Sequence, residues 1–344
     1  MEFTTGARLE IRITPADVGK RVSLRSLTGS DARGGRFTDT LGVLTSWDDG
    51  VLRLLRRDGT RAQVAQSALV AAKVVPATPA RRGGPAASAA ELARVAARGW
   101  PPLEAEPLGE WTLRAAEGFT RRANSALAVG DPGVGLDEAL ERTGAWYAAR
   151  GLPAYVQLAD DAAPEGLAAR LSARGWLPEA ATWTQTAALA RVADLAGGGG
   201  DNGAGALTRK ATLSRTADEG WCALYHRAGA LTPAAEAVLH GAPPGGAVWF
   251  ATVPGDSPTA PAAIGRCVVD GRWAGFAAVE TAPEHRRTGL ARRVMAALAG
   301  KALEEGASAA YLQVEADNEG AHALYAGLGF TTHHGYCYFR RPGD

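Results

Sequence analysis

Residues 275–306 read GFAAVETAPEHRRTGLARRVMAALAGKALEEG, and residues 311–330 read YLQVEADNEGAHALYAGLGF. The first stretch runs from a β-type segment through the turn His285-Arg286-Arg287-Thr288-Gly289-Leu290-Ala291 into a helix. Leu290, Val294, Leu298 and Ala302 recur four residues apart, so this helix packs one face on a sheet. Its first N–H groups lack intrahelical partners and carry the positive end of the macrodipole. Arg286, Arg287 and Arg292 add positive charge there. Gly289 removes a side chain, which lets a pyrophosphate approach the backbone. The second stretch adds another strand and helix, with polar groups at each junction.

Outward from this block, the 344-residue chain is long enough for two or three domains. A hydrophobic content of 46% supports buried cores and argues against global disorder. A net charge of +1 gives no overall pull toward nucleic acid or anionic membranes. No apolar run approaches the roughly 18 residues of a membrane span, and MEFTTGARLEIRITPADVGK lacks the apolar core of a signal peptide. Cys222, Cys267 and Cys337 form no CxxC pair, so neither a disulfide framework nor a zinc site is indicated. A cytoplasmic location is the expectation.

Residues 1–75 alternate in the β manner. Strands are expected at Arg21–Arg25, Thr40–Trp47 and Val51–Leu55, with turns at Asp48-Asp49-Gly50 and Asp58-Gly59. Short strands with tight turns predict a small barrel over 1–75. The Pro/Gly/Arg run of 76–88 reads as a linker. An α/β block is expected over 89–190, and the glycines of 191–205 read as a second linker. Residues 206–344 form another α/β block. The two blocks share an order of elements, with Leu171-Ser-Ala-Arg-Gly-Trp176 standing where the second has Leu324–Phe330. This order suggests a diverged internal repeat. In the first block the place of the Arg/Gly turn is taken by Gly130-Asp-Pro-Gly-Val-Gly135, where Asp131 would repel a phosphate.

Over residues 206–344 the chain resembles the GNAT superfamily of acyl-CoA-dependent N-acetyltransferases. The resemblance rests on Arg286-x-x-Gly289-x-Ala291 between strand and helix, and on Val314-Glu-Ala-Asp-Asn318 followed by Ala323-Leu-Tyr325 and Gly327-Leu-Gly-Phe330. It implies an α/β (α+β) GNAT fold, a mixed sheet whose central strands splay apart, and acetyl-CoA as co-substrate. It also implies site residues. Val279 and Thr281 would offer backbone groups to the pantetheine arm. Arg286, Arg287, Thr288, Gly289, Leu290, Ala291 and Arg292 would form the pyrophosphate loop. Asn318 would hydrogen-bond the cofactor, and Tyr325 would protonate the departing thiolate. Direct attack of an amine on a thioester needs a neutral amine and an acid for the sulfur. It needs no covalent enzyme intermediate, and the chain has no G-x-S-x-G elbow.

Each residue also has a structural reading. Tyr325 lies on the apolar stripe of Ala321, Leu324 and Leu328, and Asn318 suits a helix cap. A glutamate that some family members place on the fifth strand falls on Gln313 here. Glu280 is the first candidate for the general base, followed by Glu315. His333-His334 with Cys337 is read as a polar turn before the last strand, and no metal is expected. Phe119-Thr-Arg-Arg-Ala-Asn124 is a polar cluster in a strand region, either a surface strand or the wall of an interdomain groove. Trp221 and His226 are weaker substrate-side candidates.

The whole layout, an N-terminal SH3-like barrel, a degenerate GNAT-like middle region and a C-terminal GNAT domain, resembles an actinobacterial family proposed to acetylate histone-like nucleoid proteins. The expected function is acetyl transfer to a primary amine on a protein or a small molecule. The alternatives are a non-catalytic acyl-CoA-sensing or nucleic-acid-associated regulator, and a small-molecule acetyltransferase acting on a mycothiol-precursor-like amine. The expected partners are the amine acceptor and a nucleoid protein, with no membrane.

Overall fold

The computed structural model describes residues 11–28, 36–56, 60–74, 85–197, 209–225, 231–257 and 260–343. The Asp58-Gly59 turn, residues 76–84 of the first expected linker, residues 198–205 of the second, and His226 lie outside the described residues. The chain divides into two compact units, Met1–Arg82 and Gly83–Asp344.

The first unit is all-β. Its strands are β1 (Ile11–Arg12), β2 (Arg21–Thr28), β3 (Arg36–Asp48), β4 (Val51–Leu55), β5 (Arg61–Ala65) and β6 (Leu69–Val74), in the order β1-β6-β2-β3-β4-β5. Alternate residues of β2 and β4 point inward, so Val22, Leu24, Leu52 and Leu54 are fully buried against Leu44.

The second unit opens with α1 (Ala89–Arg98), whose first turn is capped by Ser88. There follow β7 (Glu104–Leu108), β8 (Trp111–Ala115), β9 (Ala126–Leu127), α2 (Leu136–Ala148), β10 (Tyr155–Ala159), α3 (Leu167–Ala173), β11 (Leu177–Ala188) and α4 (Leu189–Gly197). The C-terminal half has β12 (Thr212–Ser214), α5 (Glu219–Leu224), α6 (Pro233–His240), β13 (Ala247–Val253), β14 (Ala263–Asp270) and β15 (Trp273–Thr281). It ends with α7 (Leu290–Glu304), β16 (Ala309–Glu315), α8 (Glu319–Gly327) and β17 (Thr331–Arg340).

One 11-stranded sheet spans both expected α/β blocks, in the order β12-β13-β14-β15-β16-β11-β17-β10-β9-β8-β7. Each half has a parallel strand pair with a helix between its members: β9 and β10 around α2, β15 and β16 around α7. The last strands of the halves are exchanged. β11 pairs with β16 from Thr182↔Glu315 to Ala188↔Ala309, and β17 pairs with β10 from Tyr155↔Arg340 to Ala159↔Tyr336.

Three local expectations change. The linker expected from 191 is helical up to Gly197, because Leu189, Val192 and Ala196 are buried on one face of α4 and outweigh the glycines that follow. His333 and His334 sit within β17, not in a turn. Phe119–Asn124 is not a strand: Arg121–Ala123 is a 3-10 turn, tied down by Asn124, whose Oδ1 accepts from the N–H groups of Ala116 and Gly118.

Candidate active site

On one side, β15 pairs with β14 from Asp270↔Trp273 to Ala263↔Thr281. On the other it pairs with β16 only from Trp273↔Ala309 to Phe276↔Leu312. Where that pairing stops, β15 carries a bulge: Arg266 faces Ala277 but Ile264 faces Glu280, and Ala278 has φ 51°. A bulge bends its strand and sharpens the local twist, which turns the end of β15 away from β16. Helix α7 lies close beneath, and Gly265 of β14 is the residue that admits it, because a Cβ there would collide with Val294.

The splay opens into a cavity of ≈ 190 Å³. β15 gives it Val279 and Glu280, β16 gives Gln313 and Glu315, α8 gives Tyr325 with Asn318 just before its first turn, and β17 gives Tyr336 and Tyr338. The N-terminal half contributes Trp100, Thr120, Arg121 and Arg122. The cluster at 119–124 therefore reaches the groove.

The Arg/Gly turn follows directly on β15. Pro283–His285 forms a 3-10 turn, and the Thr288 hydroxyl donates to the His285 carbonyl over 2.5 Å. Arg287 (φ 64°) and Gly289 (φ 84°) are both left-handed, which swings the backbone up into the first turn of α7. That turn has neither a side-chain cap nor an acidic residue. Arg286, Arg287, Thr288 and Gly289 are exposed, and a Cβ on Gly289 would meet nothing within 4 Å. Leu290 is buried in the core and Ala291 is half-buried. Arg292 points elsewhere: its guanidinium donates to the Leu195 carbonyl over 2.8 Å, in the last turn of α4, where carbonyls lack helical partners.

The corresponding turn of the N-terminal half is filled by the chain itself. The Asp131 N–H donates to Glu110 Oε2 (2.7 Å), and the Gly133 N–H donates to Asp131 Oδ1 (2.8 Å). Carboxylates of the protein thus use the N–H groups that an anion would need.

Asn318 caps α8, its Oδ1 accepting from the Ala321 N–H over 3.1 Å, and it lines the cavity as well. The cap uses only the acceptor of an amide that also carries two donors. The Tyr325 ring packs on Phe330, and burial pushes its phenol up to about 12, so it keeps its proton at neutral pH. Glu280 and Glu315 both line the cavity. Trp221 does not; it is fully buried against Tyr225 and Phe250 as part of a packed helix face.

Trp100 and Tyr225, which also line the cavity, went undetected in the sequence. Trp100 follows α1 at Gly99, and nothing in the linear pattern of that helix end shows that the N-terminal half folds over the cleft. Arg121 and Arg122 did carry a signal, two adjacent charges where a strand was expected.

No group of three or more His, Cys, Asp or Glu side chains suited to a metal occurs among the described residues. His333 Nε2 lies 2.9 Å from the Ala87 carbonyl and His333 Nδ1 lies 2.9 Å from His334 Nδ1. A carbonyl only accepts, so His333 donates through Nε2 and accepts at Nδ1 from His334. No described helix is long and apolar enough to cross a membrane.

A mixed sheet splayed beside a strand–turn–helix corner is the fold of the GCN5-related N-acetyltransferases. A solved structure of that class from Kribbella flavida superposes with a TM-score of 0.53 at 20% identity, over 74% of this chain and 96% of that one. The profile of the family described as "Probable histone acetyltransferase Rv0428c C-terminal" matches residues 87–339, and the chain belongs to that family of acetyltransferases. Among similar sequences, "Probable histone acetyltransferase Rv0428c" of Mycobacterium tuberculosis is 29% identical over 87% of each chain. "Uncharacterized N-acetyltransferase YobR" of Bacillus subtilis is 28% identical over 70% of this chain and 94% of its own length.

Proposed function

We propose that the protein transfers the acetyl group of acetyl-CoA to a primary amine by direct attack. One observation carries the reading: β15 loses β16 as a partner in front of the uncapped N-terminus of α7, and Tyr325 lines the same opening. The site suits the molecule. The turn has open space over Gly289, two exposed arginines and no acidic residue in the first turn of α7. Acetyl-CoA supplies a thioester carbonyl open to a nucleophile.

The residues of the chain then have separate tasks. Val279 and Thr281 hold the pantetheine arm through their backbone, in the manner of an added strand. The first N–H groups of α7, with Arg286, Arg287 and Thr288, hold the pyrophosphate. Asn318 contributes its amide donors. Glu280 accepts the proton of the attacking amine, directly or through water. Tyr325 delivers its proton to the departing sulfur, since its raised pKa keeps it protonated until then. The acceptor is an amine of a protein, with a histone suggested by the name of the Mycobacterium tuberculosis relative and a nucleoid protein by the resemblance of the layout, or of a small molecule.

A second reading is a non-catalytic acyl-CoA sensor or nucleic-acid-associated regulator, favoured by Gln313 standing where some family members place a glutamate. Thiol release from acetyl-CoA, assayed with a lysine-rich protein and a panel of small amines, separates the two. Acceptor-dependent release supports transfer. Tight binding of acetyl-CoA with no release for any acceptor would leave the sensor.

A further inference from the structure

The wall of the cavity contributed by the N-terminal half has an unusual charge balance. Arg121 is neutralised by Glu179 at 2.9 Å. Arg122 is not: its guanidinium lies 4.9 Å over the Trp100 ring, and among the described residues no carboxylate pairs with it. Behind it stand two buried arginines. Arg266, 1% exposed, donates to the carbonyls of Leu239 (2.7 Å), Gly99 (2.9 Å) and Gly241 (2.8 Å). Arg114, 2% exposed, donates to the Ser125 carbonyl (2.9 Å), Ser125 Oγ (2.8 Å) and Gln157 Oε1 (2.7 Å). Their hydrogen bonds are made, but only to neutral groups. Burial lowers the pKa of both, that of Arg266 to about 10, and the charge of Arg122 lowers each further. Among the described residues none of these three cations is paired with a carboxylate, which is costly for the two that are buried.

The acidic residues of the cavity, Glu280 and Glu315, stand on the splayed strands. A smaller recess of ≈ 10 Å³ shares Trp100, Arg122 and Gln313 with the cavity, adds Arg266 and Tyr311, and contains no acidic side chain. Gln313 Oε1 is buried and has no hydrogen-bond partner among the described residues. A buried acceptor left unpaired costs free energy until a donor arrives. The place therefore asks for two things in one ligand, an N–H donor for Gln313 and an anion for Arg122.

We infer that the acceptor is a small amine bearing a carboxylate, with Arg122 as the residue that binds the carboxylate and Gln313 as the residue that receives an amine N–H. This rests on the acetyl-transfer reading and narrows it. It disfavours a lysine-rich protein surface, whose positive charges would face the arginines.

The test pairs amino acids with their carboxamides as acceptors in the thiol-release assay on the full chain. A charged hydrogen bond gives a roughly 10- to 100-fold preference in kcat/KM for the carboxylate. Arg122→Gln should bring that ratio close to one through KM, and Arg122→Lys should keep part of it. Equal rates for acid and amide, or an unchanged ratio in Arg122→Gln, would overturn the proposal while leaving acetyl transfer intact. If no amine is acetylated, tryptophan fluorescence titrated with the same acids and amides decides it separately. Trp100 beneath Arg122 should respond to the acids in the wild type and not in Arg122→Gln, and no response to any acid would overturn the proposal. Failure to bind acetyl-CoA would count against the transfer reading alone.

Discussion

Tyr325 stands edge-on to Phe330, with ring centroids 5.8 Å apart, and Phe330 stands edge-on in turn to Phe276 of β15 at 6.3 Å. The ring is held by apolar packing, and Tyr325 also lines the cavity. Tyr325→Phe preserves that packing and removes only the proton donor. Steady-state kinetics should show kcat reduced about 10²-fold or more, with acetyl-CoA affinity and melting temperature nearly unchanged. An unchanged kcat would remove the acid role.

At the Arg/Gly turn, Gly289→Glu places a carboxylate at the N-terminus of α7 and forces a side chain to adopt φ 84°. Calorimetry should find acetyl-CoA affinity lowered by at least about tenfold, as electrostatic repulsion at a helix N-terminus and lost backbone access combine. Gly289→Ala separates the effects, costing about 1 kcal/mol of stability without the charge. Undiminished binding in Gly289→Glu would show that the pyrophosphate sits elsewhere.

Glu280→Gln keeps size and polarity and loses the carboxylate. The expected outcome is a kcat about 10²-fold lower at neutral pH, recovering in part at higher pH, where more of the amine is already neutral. A full rate with an unaltered pH profile would reject Glu280 as the base.

Burial, helped by its neighbour His333, pushes His334 down to about 4. Between about 4 and the ordinary value of about 6.5 the unfolded chain binds a proton that the folded chain refuses. The His334 contribution to stability is therefore present above pH 6.5 and falls away as pH drops toward 4, at up to about 1.4 kcal/mol per pH unit. Chemical denaturation across that window should give a shallower slope for His334→Gln than for the wild type. Parallel slopes would disprove the assignment.

Arg266→Met removes the partner of three main-chain carbonyls. Unpaired buried acceptors cost about 1–3 kcal/mol each, so the melting temperature should fall sharply even though a buried charge has gone. A stabilised variant would mean that burying the cation costs more than its three hydrogen bonds return.

Much of this architecture was legible in the sequence. Strand β4 falls on the expected residues, and Leu290, Val294, Leu298 and Ala302 are buried as their spacing requires. Those signals are local: alternation for a strand, i, i+4 recurrence for a helix. The exchange of β11 and β17 was not legible, because pairing partners more than a hundred residues apart leave no mark in either segment. Edge strand β7, which carries Pro107, was missed for a related reason, since proline is tolerated only where the ladder is one-sided. For the site, the motif located the turn, Asn318 and Tyr325. Trp100 and Arg122 required the fold of the other half, and the engagement of Arg292 with Leu195 required α4, which the glycine run beside it had concealed.

The interior place of β17 sets an order of events during synthesis. Tyr336 and Tyr338 lie on it, between β10 and β11 of the N-terminal half, so those two strands cannot be joined in one sheet until β17 has been made. Until then β16 can zip onto β11, but β10 presents an open hydrogen-bonding edge to the cell. Adding β17 closes that seam and supplies the wall of the cavity that Tyr336 and Tyr338 form.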